Sequence, residues 1–176
     1  NPIEHEGTYP LPEAQLDRFM FSINISYPDR ADELKIVNDT TTIEFPPVRP
    51  VFNKEEVLRF QALVRRVPVS NHVLEYAVDL ARASRPTGDK QNAFVNEYVE
   101  WGAGPRASQY LVLGAKTLAL LDGRPSPSCD DVRSIAKPVF EHRILPNYKA
   151  AGEGITPAQI IDTLLKNVKE PDYRGR

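Results

Sequence analysis

Two arginines stand at positions where a charge needs a reason. Arg106 follows Gly104 and Pro105 in "WGAGPRASQY". Proline suits the first turn of a helix and glycine serves as the cap before it, so a helix is expected to begin at 105. At such a start the unpaired N–H groups and the guanidinium fork converge on one point. Both favour an anion there, phosphate above all. The plainer alternative is an exposed first-turn arginine, which the helix dipole mildly disfavours. Arg18 closes the proline-initiated stretch "LPEAQLD" and stands directly before an alternating apolar run, at a sheet end where loops carry function. Its alternative is a surface arginine paired with Asp17 or Glu13. Arg143, in "EHRI", falls near a helix end, where a cation is favoured anyway, and its reading is structural.

Other chemistry is sparse. No G-x-x-x-x-G-K-[ST] loop is present to cradle phosphates. His5, His72 and His142 are scattered, without cysteine or carboxylate at ligand spacing, so no metal site is expected. Neither a G-x-S-x-G elbow nor a second cysteine supports a nucleophile. Cys129, the single cysteine, forms no internal disulfide, which fits a reducing compartment. A formal charge of −2 without a Lys/Arg cluster disfavours nucleic acid. No apolar run approaches the roughly 20 residues that cross a bilayer, and no secretion signal opens the sequence. A cytoplasmic protein is the expectation.

The elements that must position the arginines follow from periodicity. "FMFSINIS" (19–26) alternates, with Phe19, Phe21, Ile23 and Ile25 on one face, and reads as a strand. "ADELKIV" (31–37) supplies a short helix. Residues 38–52 carry three prolines and read as an extended linker. Beyond it the period is helical. Asn53 with Glu56 caps a helix with Val57, Phe60, Val64 and Val67 in a stripe. Ser70 caps the next, burying Val73, Ala77, Leu80 and Ala81. A short helix spans 92–101, with Trp101 anchoring the core. The helix from 105 buries Leu111, Ala115, Leu118 and Leu121. Ser128 with Asp131 opens another, kinked at Pro138. Thr156 with Pro157 opens the last, with Ile160, Ile161, Leu164, Leu165 and Val168 inward. The fold expected is mainly α, one strand at the front and a bundle of five or six helices behind. A lone strand needs neighbours, and the first residue is Asn1 rather than methionine. Residues 1–50 are therefore expected to end a larger α/β domain, making the chain a fragment.

Taken together, "NPIEHEGTYPLPEAQLDRF", "VRPVFNKEEVLRFQALVRRVPVSNHVLEYAVDLARASRP" and "WGAGPRASQYLVLGAKTLALLDGR…DVRSIAKPVFEHRI" resemble the C-terminal half of a MoxR-type AAA+ ATPase, from residue 1 to about 168. The resemblance implies that 1–50 is the end of the AAA+ α/β core, with its last strand and linker helix, and that 51–176 is the helical lid domain. It implies that Asn1, in its "NP-x-E" setting, senses the γ-phosphate, and that Arg18 of "LDRF" is the arginine finger reaching a neighbouring subunit's nucleotide. Arg106 of "G-x-x-P-R-A" then corresponds to the second sensor, in its own subunit or a neighbour's. Members often carry serine where this chain has Gly104.

The resemblance further implies ATP hydrolysis with Mg²⁺, whose ligands, like the Walker lysine, would lie upstream of residue 1. It implies a homo-oligomeric ring, expected to be a hexamer, and chaperone-like maturation of a client protein, with a von Willebrand A-domain partner. The competing reading is a helical interaction scaffold without a nucleotide role.

Overall fold

Side-chain caps set most of the long helices. Asp29 Oδ1 accepts from the N–H of Asp32 at 2.9 Å and starts α2 (Arg30–Thr40). Asn53 and Glu56 bond reciprocally, at 2.9 and 2.8 Å, ahead of α3 (Lys54–Arg66). Ser128 with Asp131 and Thr156 with Gln159 form capping boxes for α7 (Cys129–Phe140) and α9 (Pro157–Asn167). The computed structural model describes residues 11–43, 47–88 and 92–172. Its remaining helices are α1 (Glu13–Leu16), α4 (Asn71–Ala83), α5 (Ala93–Tyr98), α6 (Pro105–Leu121) and α8 (Tyr148–Glu153). The chain is mainly helical, as its periodicity implies. Among the described residues no helix is long and apolar enough to cross a membrane.

The chain separates into two compact units, Asn1–Ser22 with Val64–Arg176, and Ile23–Leu63. The smaller holds α2 and most of α3, and neither helix buries a residue. The stripe expected on α3 is apolar but uncovered at Val57 and Phe60, and Phe60 meets Phe52 edge-on at 5.4 Å. Periodicity reveals which face is apolar, not whether anything covers it.

The strand expected over 19–26 does not form. A strand exists only as a member of a ladder, and no second strand pairs with this stretch among the described residues. The N–H of Ser22 donates instead to the Pro138 carbonyl at 2.9 Å, and Ile23 and Ile25 are exposed.

In the larger unit α4, α6, α7 and α9 close around one core. Val73, Tyr76 and Leu80 of α4 meet Leu111 of α6, Val132, Val139 and Phe140 of α7, and Ile160 and Ile161 of α9, all fully buried. Each such aliphatic side chain contributes about 1.5–3 kcal/mol through burial. α6 and α7 approach so closely at Gly114 that a Cβ there would lie 2.2 Å from Ile135 Cδ1. α7 runs unbroken through Pro138.

Two features depart from expectation and matter for the site. The helix near 92–101 ends at Tyr98, and β1 (Val99–Trp101) pairs antiparallel with β2 (Leu145–Pro146), with a bulge between Val99 and Trp101. Trp101 is consequently 67% exposed rather than a core anchor: regular alternation would put it on the face of the buried Val99, and the bulge between the two breaks that alternation. Leu121, expected inside, is also exposed, as the last residue of α6. The short ladder carries the turn holding His142 and Arg143 alongside the segment that leads into α6.

Candidate functional site

The start of α6 is pinned before it begins. Ser84, fully buried at the end of α4, donates its hydroxyl to the Ala81 carbonyl at 2.7 Å and accepts from the N–H of Ala103 at 2.9 Å. Arg85 Nε donates to the Ala103 carbonyl at 2.9 Å. Gly102 lies flat against this junction: a Cβ would stand 2.4 Å from the Ser84 carbonyl oxygen and 2.6 Å from Arg85 Cα, so only glycine fits. Gly104 is the N-cap, without a side-chain hydrogen bond, and has open space where a Cβ would go. Glycine at 104 is thus not imposed by crowding.

Arg106, in the first turn of α6, directs Nη1 to the carboxylate of Asp17. Asp17 directly follows α1, and its other oxygen accepts from Arg143 Nε at 2.9 Å. Arg143 uses every N–H of its fork. Nη2 donates to the carbonyls of Asp17, at 2.8 Å, and of Phe19, while Nη1 donates to those of Met20, at 3.3 Å, and of Val139. Its guanidinium carbon sits 5.1 Å from the centre of the Tyr110 ring, a cation–π contact. Burial makes this guanidinium easier to deprotonate than usual and Asp17 opposes that, so the charge persists. The Arg143 side chain is 1% exposed, against 41% for Arg106 and 32% for Asp17, so the former pair is sheltered and the latter is wet.

Arg18 is exposed. Its carbonyl accepts from the Tyr110 hydroxyl at 2.9 Å, and its guanidinium has no ion pair among the described residues. Neither partner offered by the sequence is taken: Asp17 belongs to Arg106 and Arg143. His142 Nε2 lies 3.1 Å from the Phe19 carbonyl, which requires the proton on Nε2, and Nδ1 is buried without a partner. Burial, assisted by the Arg143 charge, pushes the imidazole below its ordinary pKa despite the bond to Phe19. A cleft of about 570 Å³ opens here, lined by Glu13, Asp17, Glu100, Trp101, His142 and Arg143 among others.

The Asp17 carboxylate thereby brings Arg106 next to the segment that carries Arg18, although 88 positions separate the two arginines in sequence. Asn1 lies outside the described residues. Among those residues no group of three His, Cys, Asp or Glu could hold a metal. The reading of the sequence offered Asp17 to Arg18 rather than to Arg106 and Arg143, and it did not single out Tyr110. Tyr110 did carry a signal, standing one helical turn beyond Arg106 and so on the same face of α6. Asp17 and Arg143 carried none, because their pairing depends on how the turn after α7 meets the one after α1.

Two family models match separate stretches of the chain. The AAA lid domain matches residues 91–164, which include Arg106 and Arg143. The ATPase family associated with various cellular activities (AAA) matches residues 1–21, which include Arg18. Chaperone MoxR1 of Mycobacterium tuberculosis is 35% identical over 175 residues, 99% of this chain and 46% of that protein. Uncharacterised protein YeaC of Bacillus subtilis is 33% identical over 176 residues, 99% of this chain and 52% of its own length. Protein MoxR of Paracoccus denitrificans is 28% identical over 184 residues, 97% of this chain and 54% of its own. A crystal structure of a candidate ATPase from Cytophaga hutchinsonii superposes with a TM-score of 0.91 at 35% identity, over 98% of this chain and 52% of that one. The chain therefore spans about half the length of the relatives it matches. On these likenesses, at nearly full coverage of its own length, the chain belongs to the MoxR-type AAA+ family.

Proposed function

We propose that this chain supplies the arginine-bearing lid side of an ATP-hydrolysing ring whose turnover drives chaperone-like remodelling or maturation of partner complexes. In this reading residues 1–50 belong to the α/β core and 51–176 to the lid. Asn1 senses the γ-phosphate, Arg18 is the finger offered to a neighbouring subunit, and Arg106 is the second sensor. The ring is a homo-hexamer in the cytoplasm, and its partners are a von Willebrand A-domain protein and a client. One observation carries the reading. Asp17 is claimed by Arg106 and Arg143, which leaves its neighbour Arg18 exposed and without an ion pair among the described residues, available to an anion from outside the chain.

The reaction is phosphoryl transfer from ATP to water. Little covalent work falls to the protein, and positioned charge lowers the barrier. Arg18 supplies positive charge to equatorial oxygens of the transferring group, an effect worth about 10³–10⁵ in rate for the finger arginines of GTPases. Arg106, in the first turn of α6 where no side chain caps the helix, is the cation that would leave Asp17 for phosphate already bound. Mg²⁺ enters with the nucleotide, and no residue of this chain is assigned to it.

The test is a pair of variants in the ATPase that carries this chain. Arg18→Ala is expected to abolish turnover while nucleotide binding stays nearly intact, because the charge acts at a neighbour's transition state. Arg106→Ala is expected to weaken both. Mixing subunits decides the matter: a P-loop-dead, Arg18-intact subunit should restore activity to an Arg18→Ala partner. No activity at any mixing ratio would overturn the finger assignment. By itself the chain is expected neither to bind ATP tightly nor to hydrolyse it, and micromolar affinity by calorimetry would contradict that.

A further inference from the structure

Four consecutive backbone carbonyls, those of residues 17 to 20, accept hydrogen bonds from side chains on α6 and on the turn after α7. Arg143 takes those of Asp17, Phe19 and Met20. Tyr110 takes that of Arg18 at 2.9 Å, and His142 shares that of Phe19 at 3.1 Å. A surface turn normally gives its carbonyls to water. Here the donors come from one fully engaged guanidinium, itself 1% exposed, and from a tyrosine whose ring the same guanidinium covers. The backbone on both sides of Arg18 is thus held while the Arg18 side chain stays free.

We propose that Arg143 and Tyr110 are positioning residues for Arg18: they fix its backbone against α6, so that the guanidinium is presented at a set place relative to Arg106. Neither touches the nucleotide, and both act through Arg18. The inference rests on the finger reading above. It adds that the lid helices, rather than the segment carrying the finger, determine where the finger points. Misplacing a catalytic group by about 1 Å costs on the order of 100-fold in rate, so a clamp of this kind bears directly on turnover.

Tyr110→Phe tests it most cleanly, since the ring and its contact with Arg143 remain and only the bond to the Arg18 carbonyl goes. In this chain, trypsin cleavage of the Arg18–Phe19 bond is expected to quicken about five-fold, as the locally opened form gains population, while cleavage at Arg30–Ala31 keeps its rate. In the ATPase that carries the chain, kcat is expected to fall about ten-fold with KM for ATP unchanged. Measured on the residual single-turnover rate of Arg18→Ala at high enzyme concentration, the same substitution should cost nothing more, because it has no other route to the reaction. Arg143→Lys, which keeps charge but loses the fork, should show the larger effect on both readouts, with folding verified by circular dichroism. Unchanged cleavage at Arg18 would overturn the clamp. Faster cleavage with normal kcat, or a full further loss on top of Arg18→Ala, would overturn the positioning role. If Arg18→Ala itself turned over normally, the finger reading would fall and the positioning role with it, and the cleavage rates would still report separately on the clamp.

Discussion

Arg143 meets Asp17 twice, through Nε to the carboxylate at 2.9 Å and through Nη2 to the backbone carbonyl at 2.8 Å. Because the guanidinium is buried, removing its carboxylate strands a charge away from water. Asp17→Ala is therefore expected to destabilise the chain by about 2–3 kcal/mol, somewhat under the cost of breaking a fully buried pair because Asp17 is partly solvated. Arg106→Ala breaks only the wet half of the arrangement and should cost about 0–1 kcal/mol. Urea denaturation of the two variants separates these values. Equal losses would mean that Arg143 is not held by Asp17.

Stability is expected to fall with acid in two windows. His142 is kept neutral by burial, so its folded pKa lies below the unfolded value of about 6.5. The unfolded state binds the proton first, and the stability that His142 contributes is present above about pH 6.5 and lost as pH falls toward the folded value. Asp131 follows at lower pH. Its carboxylate is held below the ordinary range by Arg124, with bonds at 2.6 and 2.8 Å, and by the Ser128 cap. That contribution is present above about pH 3.9 and disappears as pH drops through the depressed folded value. Thermal melts from pH 7 to 2.5 should show both slopes. His142→Phe should flatten the first alone, and Asp131→Asn the second alone.

Cys129 should be inert in the folded chain. It is 3% exposed at the start of α7, and burial pushes its thiol up to about 11. Since the thiolate is the reactive form, an aromatic disulfide reagent at pH 7.5 should label less than a tenth of the protein in the time that denatured chain reacts fully. Stoichiometric labelling of native protein within minutes would contradict this.

Gly102 and Gly104 should behave oppositely, although a single residue separates them. Gly102→Ala drives a Cβ into backbone atoms of Ser84 and Arg85, which cannot rotate away, and is expected to cost about 1–3 kcal/mol. Gly104→Ser meets open space and supplies the missing cap for α6, for a gain of a few tenths of a kcal/mol. Melting temperatures of the two variants measure both effects.

Much of the helical framework was legible without coordinates because its signals are local. Asn53 with Glu56 and Ser128 with Asp131 are reciprocal caps that need only three residues of separation, and each is formed; Thr156 with Pro157 opens α9 as read, and Gln159 completes the box there. The 3.6-residue period likewise identified Val73, Ala77, Leu80, Leu111, Ala115, Ile160 and Ile161 as core. The motif at 104–106 carried the start of α6 in the same way.

What depended on distant partners was not legible. The alternation at 19–26 looks like a strand by itself, but a ladder requires a second strand, and none pairs with it among the described residues. Trp101 reads as a core aromatic until the short pairing with Leu145 turns it outward. Asp17 reads as a neighbour for Arg18 until the turn after α7 brings in Arg143. Local sequence determined where helices start, which faces are apolar, and that Arg18 and Arg106 stand at the ends of elements. Only the tertiary structure decided that Asp17 joins Arg106 to a buried Arg143 while Arg18 stays free. The reason is physical: a carboxylate goes to whichever cations folding brings within reach, and the shelter that makes the Arg143 pair strong exists only once α6 and α7 have packed.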